Sequence, residues 1–176
     1  LVTGSVVCSV VPATTDAIAE GLMSATGTAP VIVLPESPLP VKLDVEEPHS
    51  VGADRVVNTL AASRLFGIDT IVVDFGTATT LDCVTADGTF LGGIIAPGLL
   101  TSAENLVRRA AKLSATELTP PARAIGRRTD ECLQAGLRRR HRARCERVHS
   151  TSFVPMRGGQ RITRPRCTVR SVVCAK

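Results

Sequence analysis

The chain has 176 residues, 44% of them apolar and 21% charged, with four Phe and no Trp or Tyr, enough for one domain-sized core if the apolar residues fall on consistent faces. Its apolar runs, such as Val31 to Leu34 and Ile71 to Val73, fall far short of the ~20 residues that cross a bilayer, so no membrane span is expected. Charge is unevenly placed, with 9 Lys and Arg against 15 Asp and Glu in residues 1–136 but 12 against 1 in residues 137–176, so the net charge of +5 describes neither part.

Residues 2–11 are rich in β-branched side chains and predict a strand, with Pro12 and the Thr14-Thr15-Asp16 cluster as punctuation before a helix that buries Ile18, Leu22 and Ala25. Val31 to Leu34 predicts a second buried strand, and the segment from Pro35 to Pro48 has too many prolines for regular structure. Asp54 is placed to cap a helix running to about Leu65, with Val57, Leu60, Ala61 and Leu65 on its apolar face and Gly67 as its stop. Ile71 to Phe75, Thr79 to Val84 and Thr89 to Ile95 predict three strands of an antiparallel meander, with Asp87-Gly88 as the tight turn between the last two. Thr101 and Glu104 have capping-box spacing before a helix whose stripe is Leu106, Val107, Ala110, Ala111 and Leu113, and another helix starts near Asp130. From Leu137 onward the periodicity is lost and 11 Arg appear in 40 residues.

No charged start followed by an apolar segment and a small-residue cleavage site, the pattern of a secretory signal, is visible in these residues. The six Cys include no C-x-x-C pair and read as reduced thiols, which predicts a cytoplasmic protein. His141, Cys145 and His149 recur every four residues, as metal ligands on one helix face would, but with no fourth ligand.

Three segments carry candidate chemistry. Asp74-Phe75-Gly76-Thr77-Ala78-Thr79-Thr80 lies where a strand ends and doubles back. A strand end holds a carboxylate rigidly, Gly76 admits a ligand close to the backbone, and hydroxyl and N–H groups bind phosphate oxygens. The same residues also suit a plain Gly/Thr hairpin with a turn-capping Asp. Gly52-Ala53-Asp54-Arg55 opens a helix: Asp54 is either an ordinary N-cap worth ~1 kcal/mol or a carboxylate that takes a proton from a substrate hydroxyl, with Arg55 binding an anion through its planar fork. Gly92-Gly93-Ile94-Ile95-Ala96-Pro97-Gly98 removes side chains late in a strand, a mark of a bulge or a close approach.

In this order and spacing the three segments resemble type III pantothenate kinases over roughly residues 1–136. The likeness includes Glu47-Pro48-His49-Ser50-Val51 leading into Gly52, Asn58 in the following helix, and Ile125-Gly126 through Thr129. The resemblance implies an α/β protein with a ribonuclease H-like, actin-like ATPase fold, a mixed sheet with an antiparallel meander, and two domains facing across a cleft lined by both Asp54 and Asp74. On that basis residues 1–66 are the remainder of the first domain, 67–136 the first part of the second, and 137–176 a basic non-family tail. The implied reaction is transfer of the ATP γ-phosphate to the primary hydroxyl of pantothenate, the first step of coenzyme A synthesis, by a homodimer. Asp54 then matches the general base, Gly52, Ala53, Arg55 and Thr129 the pantothenate contacts, Thr77 an ATP contact and Asp74 the ligand of a monovalent cation, K⁺ or NH₄⁺, with Mg²⁺ as a further cofactor.

The sequence also departs from that pattern. Family members open with a strand and a D-x-G-N-T loop for Mg²⁺ and the ATP phosphates, and no such segment occurs here, which predicts a fragment with weak ATP binding. Val45 stands where the family tends to carry Tyr in the pantothenate pocket. After Gln134-Ala135-Gly136-Leu137 the family continues with a Gly- and Ala-rich helix, whereas Arg138-Arg139-Arg140-His141-Arg142 follows here, a switch expected of a frameshift in GC-rich DNA. The alternative reading is a catalytically inactive relative acting as a binding or regulatory protein, its basic tail contacting nucleic acid or an acidic partner. With Phe153 as the tail's lone Phe, Trp or Tyr and no recognisable nucleic-acid module, nucleic acid is not the expected partner.

Overall fold

The computed structural model describes residues 3–150, 156–157, 160–161 and 170–175, with side chains described up to residue 143. The fold is α/β, with parallel and antiparallel strand pairs and, among the described residues, four α-helices. The chain divides into two compact units, residues 1–70 with 82–92 and residues 71–81 with 93–176.

In the first unit, β1 (Val6–Cys8) pairs in parallel with β2 (Val31–Val33), Val7 lying opposite Ile32. The strand is shorter than residues 2–11 suggested, and α1 (Pro12–Thr26) begins at the proline itself rather than after Asp16. A missing N–H costs nothing at the first helical position, and the ring presets the helical φ. The burial expected of α1 does not occur: Ile18 and Ala25 are exposed and Leu22 is half-buried, because the helix packs on a sheet of only two short strands. The proline-rich connector also holds more structure than expected. Lys42–Leu43 forms β3, parallel to a later strand with Leu43 opposite Phe90, and Pro48–Ser50 forms a single 3₁₀ turn.

Helix α2 (Ala53–Phe66) is stopped by Gly67, whose left-handed φ of 57° lets its N–H return to the Ser63 carbonyl. Its buried face is Ala53, Val56, Thr59 and Ala62, not the Val57, Leu60, Ala61 and Leu65 stripe, and Leu65 is 73% exposed. Thr59 enters the buried face without penalty because its hydroxyl donates to the Arg55 carbonyl one turn earlier, at 2.8 Å. Val51, Val56 and Phe90 form a buried cluster in this unit, with Leu39, Leu43 and Val45 packed against it.

The expected meander is present as β4 (Thr70–Phe75), β5 (Ala78–Val84) and β6 (Thr89–Pro97). The larger sheet runs β3, β6, β5, β4, β9 in spatial order, β9 being Arg170–Ala175. Sheet neighbours that follow each other in the chain through turns this short must run antiparallel. Gly88, at φ 81°, closes the β5–β6 turn, its N–H reaching the Thr85 carbonyl at 3.0 Å.

In the second unit, α3 (Leu99–Arg109) is capped by Gly98, so the Thr101/Glu104 capping box does not form, and the helix ends before Ala110, Ala111 and Leu113. Ala103 on α3 packs with Leu133 and Leu137 on α4 (Thr129–Ser150), supported by Leu99, Val107, Leu113 and Leu118. Helix α4 passes straight through residue 137, from which the sequence loses its periodicity. His141, on that continuation, shares a hydrogen bond of 3.0 Å between its Nε2 and the Thr79 hydroxyl. The short strands β7 (Met156–Arg157) and β8 (Gln160–Arg161) pair antiparallel. The side chains of Cys145 and His149, proposed with His141 as metal ligands, lie outside the described residues, and no cluster of three His, Cys, Asp or Glu suited to a metal occurs among those described.

Candidate active site

The corner that opens α2 is built on Gly52, whose extended backbone (φ −60°, ψ 142°) makes it the N-cap. Asp54 is therefore not the cap. It sits inside the first turn, and its Oδ1 accepts the N–H of Arg55 at 2.9 Å, while Ala53 is buried beneath it. A Cβ on Gly52 would stand 2.6 Å from Asp54 Oδ1 and 3.2 Å from Val10 Cγ1, so glycine is what lets the carboxylate come this close to the backbone.

Arg55 is fixed from two sides. Its Nε and Nη2 both donate to Asp82 Oδ1, at 2.9 and 2.5 Å, and its guanidinium lies 4.9 Å from the centre of the Phe90 ring. The side chain of Asp82 is 1% exposed and that of Arg55 15%. A carboxylate buried this deeply needs a charged partner, and the aromatic face adds a cation–π contact to the pair. Sequence reasoning did not single out Asp82 or Phe90. The available signal was a charged residue between Leu81 and Val84, in a strand otherwise suited to burial. Asp82 and burial together push the neighbouring Cys83 thiol up to about 11, burial being the larger cause.

Val45, where the resemblance leads one to expect Tyr, packs against the Val51, Val56 and Phe90 core, and a Cβ on Gly92 would meet it at 3.8 Å. Gly92, the fourth of the nine residues of β6, has φ 101°, a backbone conformation that side chains other than glycine rarely adopt.

The second unit holds Asp74, Thr77 and Thr129. Asp74 lies near the end of β4 with 7% of its surface exposed, and Thr77 stands exposed on the turn to β5, which Gly76 closes by donating its N–H to the Ala78 carbonyl at 2.9 Å. The turn is locked through the Thr77 carbonyl, which accepts the Gly98 N–H and the Thr101 hydroxyl, each at 2.8 Å. That bond is what Thr101 makes in place of a capping box. A Cβ on Gly98 would overlap the Gly76 carbonyl and lie 2.7 Å from that of Thr77, so the Pro97-Gly98 turn serves the loop before it.

Thr129 is exposed at the first residue of α4. The approach to it is tight: a Cβ on Gly126 would lie 2.6 Å from the Glu131 carbonyl carbon, and Glu131 Oε2 accepts the Arg127 N–H at 3.0 Å. The next residue, Asp130, is held below the usual carboxylate range by the Glu131 N–H and by the Arg128 guanidinium.

The family model of type III pantothenate kinases matches residues 1–151. Among curated proteins, the type III pantothenate kinase of Frankia alni is 44% identical over 137 residues, which are 77% of this chain and 55% of that protein. The enzyme of Moorella thermoacetica is 44% identical over 134 residues, 76% of this chain and 53% of its own. That of Salinispora arenicola is 47% identical over 137, 77% and 54%. A Campylobacter jejuni crystal structure described as a Baf family transcriptional activator aligns at a TM-score of 0.48 and 20% identity, covering 75% of this chain and 59% of that one, a likeness on which nothing below depends. The chain spans about half the length of the curated relatives it matches. With a family match over most of its residues, this chain belongs to the type III pantothenate kinase family.

Proposed function

We propose that this chain serves ATP-dependent phosphorylation of pantothenate to 4'-phosphopantothenate, the first step of coenzyme A synthesis. The observation that carries the reading is the α2 corner: a glycine cap that brings the Asp54 carboxylate close to the backbone, beside an Arg55 held by Asp82 and Phe90. Phosphoryl transfer asks a protein mainly to position reactants and neutralise charge.

In this scheme Asp54 orients the primary hydroxyl of pantothenate and takes its proton as the oxygen bonds to the γ-phosphorus and ADP leaves. Gly52, Ala53, Arg55 and Thr129 hold pantothenate, Arg55 through its positive charge. The exposed Thr77 hydroxyl meets a phosphate oxygen of the nucleotide. The carboxylate of Asp74, near the end of β4, would hold the monovalent cation, K⁺ or NH₄⁺. Mg²⁺ and the monovalent cation supply charge neutralisation on the phosphates when bound. The same reading includes a ribonuclease H-like fold with domains at 1–66 and 67–136 followed by a basic tail, a homodimer, and a place in the cytoplasm.

The test is conversion of radiolabelled pantothenate with Mg²⁺ and ATP by a complete version of this protein, compared with its Asp54→Asn variant. Turnover is expected to fall roughly a thousandfold while the circular dichroism spectrum stays unchanged. Equal rates in the two proteins remove Asp54 from the mechanism, and a complete protein that neither binds nor phosphorylates pantothenate sinks the reading.

A further inference from the structure

We infer that Asp82 is a positioning residue for substrate recognition: it holds one edge of the Arg55 guanidinium so that the opposite edge is presented, already oriented, to the carboxylate of pantothenate. The inference rests on the proposed role of Arg55 as a pantothenate contact and adds what makes that contact selective.

The geometry is one-sided. Both Nε and Nη2 of Arg55 donate to the single oxygen Oδ1 of Asp82, which occupies the Nε edge of the planar group. Among the described residues, no acceptor is hydrogen-bonded to Nη1. The ring of Phe90 lies against the guanidinium at 4.9 Å from its centre and is itself 1% exposed, so it is a fixed wall. The main chain at Arg55 is held too, since its N–H is bound to Asp54 Oδ1 and its carbonyl accepts the Thr59 hydroxyl at 2.8 Å.

An arginine left loose must lose rotamer freedom each time it binds an anion, whereas one held beforehand does not. A guanidinium has five donors in a rigid fork, so engaging one edge still leaves donors for a second carboxylate. The buried Asp82 also fixes the direction in which the remaining donors of the guanidinium point. Affinity then depends on a carboxylate placed at the presented edge, which favours a ligand whose shape fits over one that merely carries charge.

The first experiment needs no mutation. Nitrogen-15 spectra of the Arg55 guanidinium are recorded on the whole chain while pantothenate is added. The Nη1 signal is expected to shift while the Nε signal, with its hydrogen bond to Asp82, stays in place. If Nε moves as well, Arg55 leaves Asp82 to bind the ligand, and the positioning role is overturned while the substrate contact stands. If neither signal moves at saturating pantothenate, the substrate contact itself is wrong and the inference falls with it.

The second experiment compares binding of pantothenate with its alcohol analogue, in which CH₂OH replaces the carboxylate, for the parent chain and Asp82→Asn. The variant is expected to bind pantothenate about tenfold more weakly and the alcohol nearly as before, because only the charge-assisted contact has lost its orientation. Equal weakening for both ligands marks a purely structural role for Asp82 and overturns the proposal, as does unchanged pantothenate affinity.

Discussion

The corner that opens α2 and the turn that follows β4 are both tight, and they are held by different means. At the first, side chains do the holding: the Asp82 carboxylate and the Phe90 ring fix Arg55, and the Arg55 N–H meets Asp54. At the second, the backbone is the fastened part, with the Thr77 carbonyl tied to the Gly98 N–H and the Thr101 hydroxyl. Charge-based holding orients a side chain but leaves a buried ion when one member is lost. Backbone holding is neutral and fails through lack of room instead.

Removing the buried carboxylate should produce the larger effect. Asp82→Ala strands the Arg55 guanidinium against Phe90, and the loss expected is about 3 kcal/mol in urea unfolding. A loss near zero would mean that the pair is no more than a surface contact. Gly98→Ala tests the other region: its Cβ has no space beside the Gly76 and Thr77 carbonyls, and a cost of about 2 kcal/mol is expected from the forced shift. The two variants should also differ in kind, with Asp82→Ala altering the Arg55 signals and Gly98→Ala altering backbone signals at residues 76–78.

The smallest effect concerns Cys83, beside Asp82. Burial and the Asp82 charge raise this thiol from 9.0 to about 11. A raised acid prefers its protonated form in the folded state, so its contribution to stability is complete below pH 9 and is lost as pH rises towards about 11. Iodoacetamide at pH 8 should modify the exposed Cys132 well before Cys83, as read by mass spectrometry. Equal rates in the folded chain would show that the face of the strand carrying Cys83, opposite Asp82, is open to solvent.

Features governed by a few neighbouring residues were legible in the sequence. Gly67 ends α2, Asp87-Gly88 turns the chain between β5 and β6, and the three meander strands fall within two residues of their expected bounds. Features decided by distant partners were not. The face of α2 was misjudged because Thr59 satisfies its own hydroxyl and goes inside. The capping box at Thr101 lost to a carbonyl 24 residues earlier in the chain. Asp82 was invisible because its partner lies 27 positions away, and strand periodicity says nothing about charge pairing across such a distance. The residues of the candidate site were legible as motifs, whereas what fixes them in place had to be seen in three dimensions.

The bare hydrogen at position 52 has a practical consequence for protein engineering. A single methyl group there would displace the Asp54 carboxylate without altering any ionisable group, so the chain's charge would stay the same. Position 52 is thus a steric dial, suited to making a decoy that matches its parent in charge and differs by one methyl group and in where one carboxylate sits.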